Sequence, residues 1–383
     1  MKVVVLGADG YLGWPTCMWL AERGHYVTGI DNYIKRAWEM RCGVSPLWPV
    51  PTAKDRTEML SDYTGGMLAF HSGGLLDHRF IYKILAEKKP DAIIHYAEQP
   101  SAPFSMMGRR RAAETQHNNV IGTLNLLFAM QKYCPEAHLI KLGTMGEYGT
   151  PNIDIEEGWI DVHHKGRQDR LPFPKQPGSF YHASKVHDST NILFACRTWG
   201  LRATDLNQGV VYGTRTPSPS DVSRELAGTS FHYDAIFGTV LNRFLVQAAV
   251  GQPLTVYGSG GQTRGFLHIS DTMRCVELTV LNPPEPGEFR VFNQLAQTCS
   301  IQDVANLVAK HCDASIAHLP NPRTEAEHHY YKVENRGLRA LGFEPKQLIE
   351  DHIEPMFRDV QRAVEEHPVD LDVLRPNVKW KMS

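Results

Sequence analysis

Three glycines at positions 7, 10 and 13 sit between the apolar run Val3-Val4-Val5-Leu6 and an apolar segment from Trp14 to Arg23. A short strand that ends in glycines and turns at once into a helix leaves backbone bare at the turn. The first N–H groups of that helix point out of it without partners. Tyr26-Val27-Thr28-Gly29-Ile30 reads as a second strand ending at Asp31, which completes a βαβ opening. Further strands are predicted at Ala92–His95, 138–142 and 202–206, with helices over Val120–Tyr133 and Ser184–Trp199. Strands alternating with helices predict an α/β fold, a Rossmann-type doubly wound parallel sheet covered on both faces.

From Gly209 the texture changes. Pro217-Ser218-Pro219-Ser220 reads as a loop, 253–258 as a strand and turn, and Pro283-Pro284-Glu285-Pro286-Gly287 as a surface turn. This half is expected to form a smaller C-terminal lobe. The division predicted is 1–207 for the first domain, with segments near 234–250 and 268–294 returning to it, and the remainder of 208–383 for the second.

The chain has 383 residues, 42% hydrophobic, with net charge −2. It can bury a sizeable core, and its charge gives no reason to expect a nucleic-acid or membrane partner. No apolar run reaches the ~18 residues a membrane helix needs. The run Arg109-Arg110-Arg111 reads as a solvated helix face. Seven scattered cysteines without a C-x-x-C suggest reduced thiols. The pairs His163-His164 and His328-His329 are adjacent in sequence, so their side chains do not converge on one ion, and no metal site is expected. The first core strand begins at Lys2, so no targeting segment is read and a cytoplasmic location is expected.

The glycine turn can seat a pyrophosphate against a helix N-terminus. Its spacing is G-x-x-G-x-x-G. Asp31 stands eighteen residues beyond Gly13, at the end of the second strand. A carboxylate there accepts hydrogen bonds from a ribose diol and repels a 2′-phosphate, so NAD is favoured over NADP, a preference softened by the nearby Lys35 and Arg36. Downstream, Tyr181 and Lys185 share one face of a helix, where an ammonium can lower the pKa of a phenol. A phenolate so made can take a hydroxyl proton while hydride leaves the same carbon. Thr144, delivered by the strand before it, can hold that hydroxyl against the base.

This combination resembles the extended short-chain dehydrogenase/reductase superfamily of nucleotide-sugar epimerases and dehydratases. Three blocks, 143–155, 179–189 and 205–213, together with Gln116-His117-Asn118-Asn119-Val120-Ile121-Gly122-Thr123, closely resemble the UDP-sulfoquinovose synthase family. The likeness runs from the first strand to about Leu341. It implies that NAD is held by Gly7, Asp9, Gly10, Tyr11, Leu12, Gly13, Asp31, Asn32, Arg36, Leu75, Tyr96 and Asn119, with Tyr181 and Lys185. It implies Tyr181 as base at the 4-hydroxyl of a UDP-hexose, assisted by Lys185 and Thr144, then loss of water across C5–C6, addition of sulfite, and return of hydride to C4. Common dehydratases carry an Asp-Glu pair after the Thr. Met145 and Gly146 stand there in this chain, which leaves His182 and Glu147 as candidates for proton transfer. The resemblance further implies that the nucleotide sugar is held by Gln99, Thr144, Asn207, Asn242, Thr255, Tyr257, Gln262, Arg264 and Arg323, and that two helices, one bearing Tyr181, make a homodimer.

The pattern breaks twice. Pro100 stands where the family carries an Arg that would help to collect sulfite, with Arg224 or His232 as possible substitutes, and Gly74 stands where it carries an Asp facing adenine. Two other ends for the 4-keto sugar therefore stay open, 4-epimerisation and elimination without sulfite. A non-catalytic NAD-binding scaffold is a third reading, against which the intact Tyr181, Lys185 and Thr144 speak.

Overall fold

The computed structural model describes residues 1–215, 224–323, 325, 326, 328–345, 349–375 and 378–380, without the side chains of 224 and 225. Seven strands build the main sheet: β1 (Lys2–Leu6), β2 (Tyr26–Asp31), β3 (Leu68–Ser72), β4 (Ala92–His95), β5 (His138–Thr144), β6 (Arg202–Gln208) and β7 (Phe289–Gln294). Their spatial order is β7-β6-β5-β4-β1-β2-β3, and every pairing is parallel. Val3, Val4, Val5 and Leu6 are all buried, as a strand covered on both faces requires. One face is packed by helices Gly13–Ala21 and Ile269–Leu281, the other by His78–Lys88, Gly122–Tyr133 and Phe180–Trp199. The strand order reverses between β1 and β4, so a crevice opens above their carboxyl ends.

The second lobe joins a parallel pair, Leu254–Tyr257 with Ile316–Leu319, to a three-stranded sheet of Val210–Tyr212, Thr263–His268 and Gln297–Ser300. The expected return of 234–250 to the first lobe is not what the packing shows. Helix Val240–Ala249 buries Leu241, Phe244, Leu245 and Val246 in one core with helices Ile301–Cys312 and Ile349–Glu366. Within 268–294, helix Ile269–Leu281 packs against the main sheet and β7 pairs with β6.

Local chemistry shifts several predicted boundaries. The catalytic-motif helix starts at Phe180 rather than Ser184, because Ser179 Oγ accepts the His182 N–H at 3.2 Å and caps it there. That puts Tyr181 in the first turn. The helix expected from Val120 is preceded by a π turn, His117–Ile121, which bulges Asn119 inward. The hairpin Trp159–His164 with Arg167–Pro172 is mostly exposed and carries no apolar alternation strong enough to predict it.

Candidate active site

The crevice holds a cavity of about 430 Å³. Gly7, Asp9, Gly10, Asp31, Asn32, Arg36, Leu75 and Tyr96 line it, together with Glu98 and the segment 45–50. The glycine spacing is a steric necessity. A Cβ at Gly13 would lie 1.9 Å from the Gly7 carbonyl oxygen, and Gly7 itself has φ +84°. Asp31 accepts the N–H groups of Asp9 at 2.9 Å and Tyr33 at 2.6 Å. Burial lifts its carboxyl to about 6, helped by the neighbouring Asp9 and opposed by those N–H groups and Arg36. Arg36 is ion-paired to Asp9 and also donates to the carbonyls of Val50 and Pro51, so its guanidinium is committed to the cavity wall. The Asn32 side chain fills the space beside Gly74, where a Cβ would meet its Nδ2 at 2.4 Å.

Six expected cofactor residues, Tyr11, Leu12, Gly13, Asn119, Tyr181 and Lys185, do not line this cavity. Gly13 is used in strand–helix packing, and Leu12 packs beside Val211, Ile269 and Met273. The Tyr11 hydroxyl donates to the Gly213 carbonyl at 2.8 Å, tying the turn to the second lobe. Asn119 is turned into the protein, where its Oδ1 accepts the Gln99 N–H at 2.7 Å and its Nδ2 donates to Ser184 Oγ at 2.9 Å. It braces the loop after β4 against the helix that carries Tyr181 and Lys185.

Around Tyr181 the charges are dense. Lys185 Nζ donates to the Leu142 carbonyl at 2.7 Å, lies 5.8 Å from the Tyr181 ring centre and is ion-paired to the buried Glu98. Burial raises the Tyr181 phenol above its ordinary value, Lys185 opposes that, and Glu98 and Glu147 add to it. Lys185 lowers the phenol, in the direction expected from the sequence, but burial outweighs it. Burial would lower the Lys185 ammonium, but Glu98 and Tyr181 overrule it and the net direction is up.

His182 and Glu147 separate sharply. Glu147 is fully buried. Its carboxylate takes the Thr144 N–H at 3.3 Å, Lys141 at 3.1 Å, Ser189 at 3.2 Å and Lys175. Burial alone would raise it, but Lys141 and Lys175 hold it well below the usual carboxylate range. Such a group anchors the loop that presents Thr144 and has no proton to give. His182 has one ring nitrogen, Nδ1, on Ser179 Oγ at 3.0 Å. The other reaches over Gly146, where a Cβ would lie 2.3 Å from Nε2. Burial lowers this imidazole to about 4, with the cations Arg323, Arg264 and Lys185 helping and Glu147 opposing, so it is neutral at pH 7. The glycine that replaces the dehydratases' Glu is what makes room for it.

A second cavity, about 190 Å³, lies in the other lobe. Of the expected sugar-nucleotide residues, Tyr257, Gln262, Arg264 and Arg323 line it. Arg264 pairs with Glu325 and also contacts His329 Nδ1 at 2.8 Å. Gln99, Thr144, Asn207, Asn242 and Thr255 do not line it. Gln99 is buried behind Asn119. Asn207 sits inside β6 with its Nδ2 on the Tyr148 hydroxyl at 2.8 Å. Asn242 Nδ2 donates to the His232 carbonyl at 3.1 Å, and Thr255 is held by Gln247 at 2.8 Å. On the same helix Val240 and Arg243, three residues apart, face the cavity and Asn242 does not. Arg243 was missed, although that spacing was readable. Trp380 also lines the cavity and was missed, since an isolated tail tryptophan carries no sequence signal. Pro100 is exposed and belongs to neither cavity, whereas Pro103 lines the second. His232 is tied to Glu39 at 2.8 Å and Asp234 at 3.2 Å, away from the second cavity, and the Arg224 side chain lies outside the described residues. Among the described residues no group of three or more His, Cys, Asp or Glu could hold a metal ion, and no helix is long and apolar enough to cross a membrane.

A glycine turn with an acidic strand end, joined to a helix bearing Tyr and Lys and to a lobe rich in arginine, defines a nucleotide-cofactor enzyme of the short-chain type. The chain belongs to the NAD dependent epimerase/dehydratase family, which matches residues 3–293. Among its curated relatives, the chloroplastic UDP-sulfoquinovose synthase of Spinacia oleracea is 48% identical over 99% of this chain and 79% of that protein. The UDP-sulfoquinovose synthase of Sulfolobus acidocaldarius is 40% identical over 100% of this chain and 98% of that protein. Among solved structures, UDP-glucose 4-epimerase from Bifidobacterium longum in complex with NAD+ and UDP superposes with TM-score 0.70 at 18% identity, covering 96% of this chain and 99% of that one. That likeness is one of fold.

Proposed function

We propose that this protein is an NAD-dependent enzyme of the UDP-sulfoquinovose synthase type, acting on UDP-glucose and sulfite. The observation that carries the reading is the neutral His182 imidazole reaching over Gly146, beside the Tyr181–Lys185 pair. An epimerase needs no second base; a C5–C6 elimination does. Residues 1–207 with 268–294 would hold the cofactor, and the remainder of the second lobe the nucleotide sugar.

The donor set suits NAD. The bare glycine turn offers backbone N–H groups to a pyrophosphate, Asp31 offers a carboxylate to a ribose diol, and Asn32 beside Gly74 gives the adenine end a polar edge in place of the family's Asp. When bound, NAD supplies the hydride acceptor and donor and a positive ring that favours phenolate. The protein's own groups do the rest. Tyr181 takes the 4-hydroxyl proton, with Thr144 Oγ steadying that hydroxyl and Lys185 fixed between Glu98 and the Leu142 carbonyl. A ketone at C4 acidifies the C5 hydrogen. His182 takes that proton and delivers it to the departing C6 hydroxyl, which leaves as water. Sulfite enters as bisulfite: its sulfur bonds to C6 of the enone while its proton passes through His182 to C5, and C4 is reduced as Tyr181 returns its proton to the oxygen.

Arg243, Arg264 and Arg323 make the second cavity strongly cationic, with Glu325 as the acidic residue among its lining. A diphosphate is the natural occupant. Pro100 is exposed and outside both cavities, and Arg243, Arg264 and Arg323 supply the cations of the second without it. The exposed Phe128 and Phe194, on helices Gly122–Tyr133 and Phe180–Trp199, support a homodimer through those two helices. A cytoplasmic location is inferred as well, with neither nucleic acid nor membrane as partner. Product NMR after incubation with UDP-glucose, with and without sulfite, tests the function. A sulfite-dependent C6 sulfonate is expected, and UDP-galactose or unchanged substrate would overturn the reading.

A further inference from the structure

The tail of the chain returns to the second cavity. Val378 and Trp380 both line it. The Trp380 N–H donates to the Pro322 carbonyl at 3.1 Å, and the Arg323 guanidinium lies 5.4 Å from the centre of its indole. The far edge of the same indole approaches the other lobe. A Cβ built at Gly178 would lie 3.9 Å from Trp380 Cζ3 and 4.0 Å from His182 Nδ1. One half-buried aromatic ring therefore spans the gap from the arginine end of the cavity to the residues just before the Tyr181 helix.

We propose that Trp380 is a substrate-contacting residue that forms one wall of the sugar subsite and keeps bulk water away from His182 and C6. An indole face suits the apolar C–H face of a pyranose, and its stack on Arg323 aligns the guanidinium for a phosphate oxygen. Water exclusion has a chemical purpose at this site. An enone with an open C6 can add water in place of sulfite: water oxygen bonds to C6, its proton goes to C5, and the starting sugar is regenerated with no gain. A ring that closes the opening beside His182 suppresses this return. The inference rests on the UDP-glucose reading above.

Wild-type protein, Trp380→Ala and Trp380→Phe are given UDP-glucose in H2(18)O without sulfite, with hydrogen exchange at C5 followed in parallel in D2O. In Trp380→Ala the KM for UDP-glucose is expected to rise roughly tenfold, the scale of one aromatic contact. 18O at C6 of recovered UDP-glucose should rise by a similar factor, and the Phe variant should stand near wild type in both. Wild-type KM and wild-type 18O content in Trp380→Ala would overturn the proposal. Should that variant fail to retain NAD, 5-fluorotryptophan-labelled wild-type protein decides the matter. The 19F resonance missing from the Trp380→Phe spectrum should shift when UDP-glucose is added, and its failure to shift overturns the wall. Absence of C5 exchange in the wild-type protein sinks the UDP-glucose chemistry instead, and the 19F shift with UDP alone then reports on Trp380 independently.

Discussion

In the proposed reaction, the choice between elimination and epimerisation turns on His182. Its depressed basicity follows from burial among Arg323, Arg264 and Lys185, so it remains a proton acceptor down to about pH 5, given its value near 4. His182→Gln should keep reduction of bound NAD by UDP-glucose yet slow C5 hydrogen exchange in D2O about 100-fold or more, as loss of a general base does; equal exchange in the variant would assign the proton to another group. Asp31 carries a second prediction. Its carboxyl, lifted by burial to about 6, accepts ribose hydroxyls only when ionised. NAD affinity should be flat above pH 7 and fall as pH drops through about 6, while discrimination against NADP, which depends on the same negative charge, shrinks over that interval. Titration by calorimetry at pH 5.5 and 7.5 checks both. At this scale the sequence revealed residue types and spacings but not orientation. Tyr181, Lys185 and Asp31 were legible because each needs only its own element. Asn207 and Thr255 were misplaced because a strand residue's facing depends on its register, and Glu98 was missed because its ion pair with Lys185 joins residues 87 positions apart.

Elements decide how firmly the cofactor is held. The segment between helices Ile34–Cys42 and Ala53–Met59 crosses from the first lobe to the second. Leu47 N–H donates to the Phe231 carbonyl at 2.8 Å, Trp48 Nε1 to the Thr229 carbonyl at 3.0 Å, and the Trp48 ring stacks on Phe231 at 5.0 Å. Residues 45–50 thus form the outer wall of the cofactor cavity. Trp48→Ala should cost about 3–5 kcal/mol, the range for truncating a buried aromatic, and should let NAD escape on dialysis. Bound nucleotide measured by mass spectrometry after dialysis, retained at the wild-type level, would show that the clasp does not hold it. None of this was legible in the sequence, where 43–52 reads as a loop with no periodicity. The βαβ opening was legible because strand, glycines and helix are consecutive. The early start of the Tyr181 helix was not, because it depends on one serine cap.

For the whole molecule, one cavity is lined by the glycine turn and Asp31 and the other by Arg243, Arg264 and Arg323. The parallel sheet was implied by alternation, whereas strand β7 and the allegiance of helix Val240–Ala249 were seen only in the three-dimensional packing. Phe194, 62% exposed, is the most open of the large apolar side chains on the proposed dimer face, so Phe194→Asp should convert a dimer to a monomer in analytical ultracentrifugation; an unchanged sedimentation coefficient would place the interface elsewhere. The central claim is that the lobes close a UDP-hexose and NAD over one phenolate. Stopped-flow absorbance at the NADH band after mixing with UDP-glucose tests it. Wild-type protein should show a transient within one turnover, and Tyr181→Phe should show none while still binding NAD and UDP-glucose. A transient of wild-type rate and amplitude in Tyr181→Phe would contradict the account.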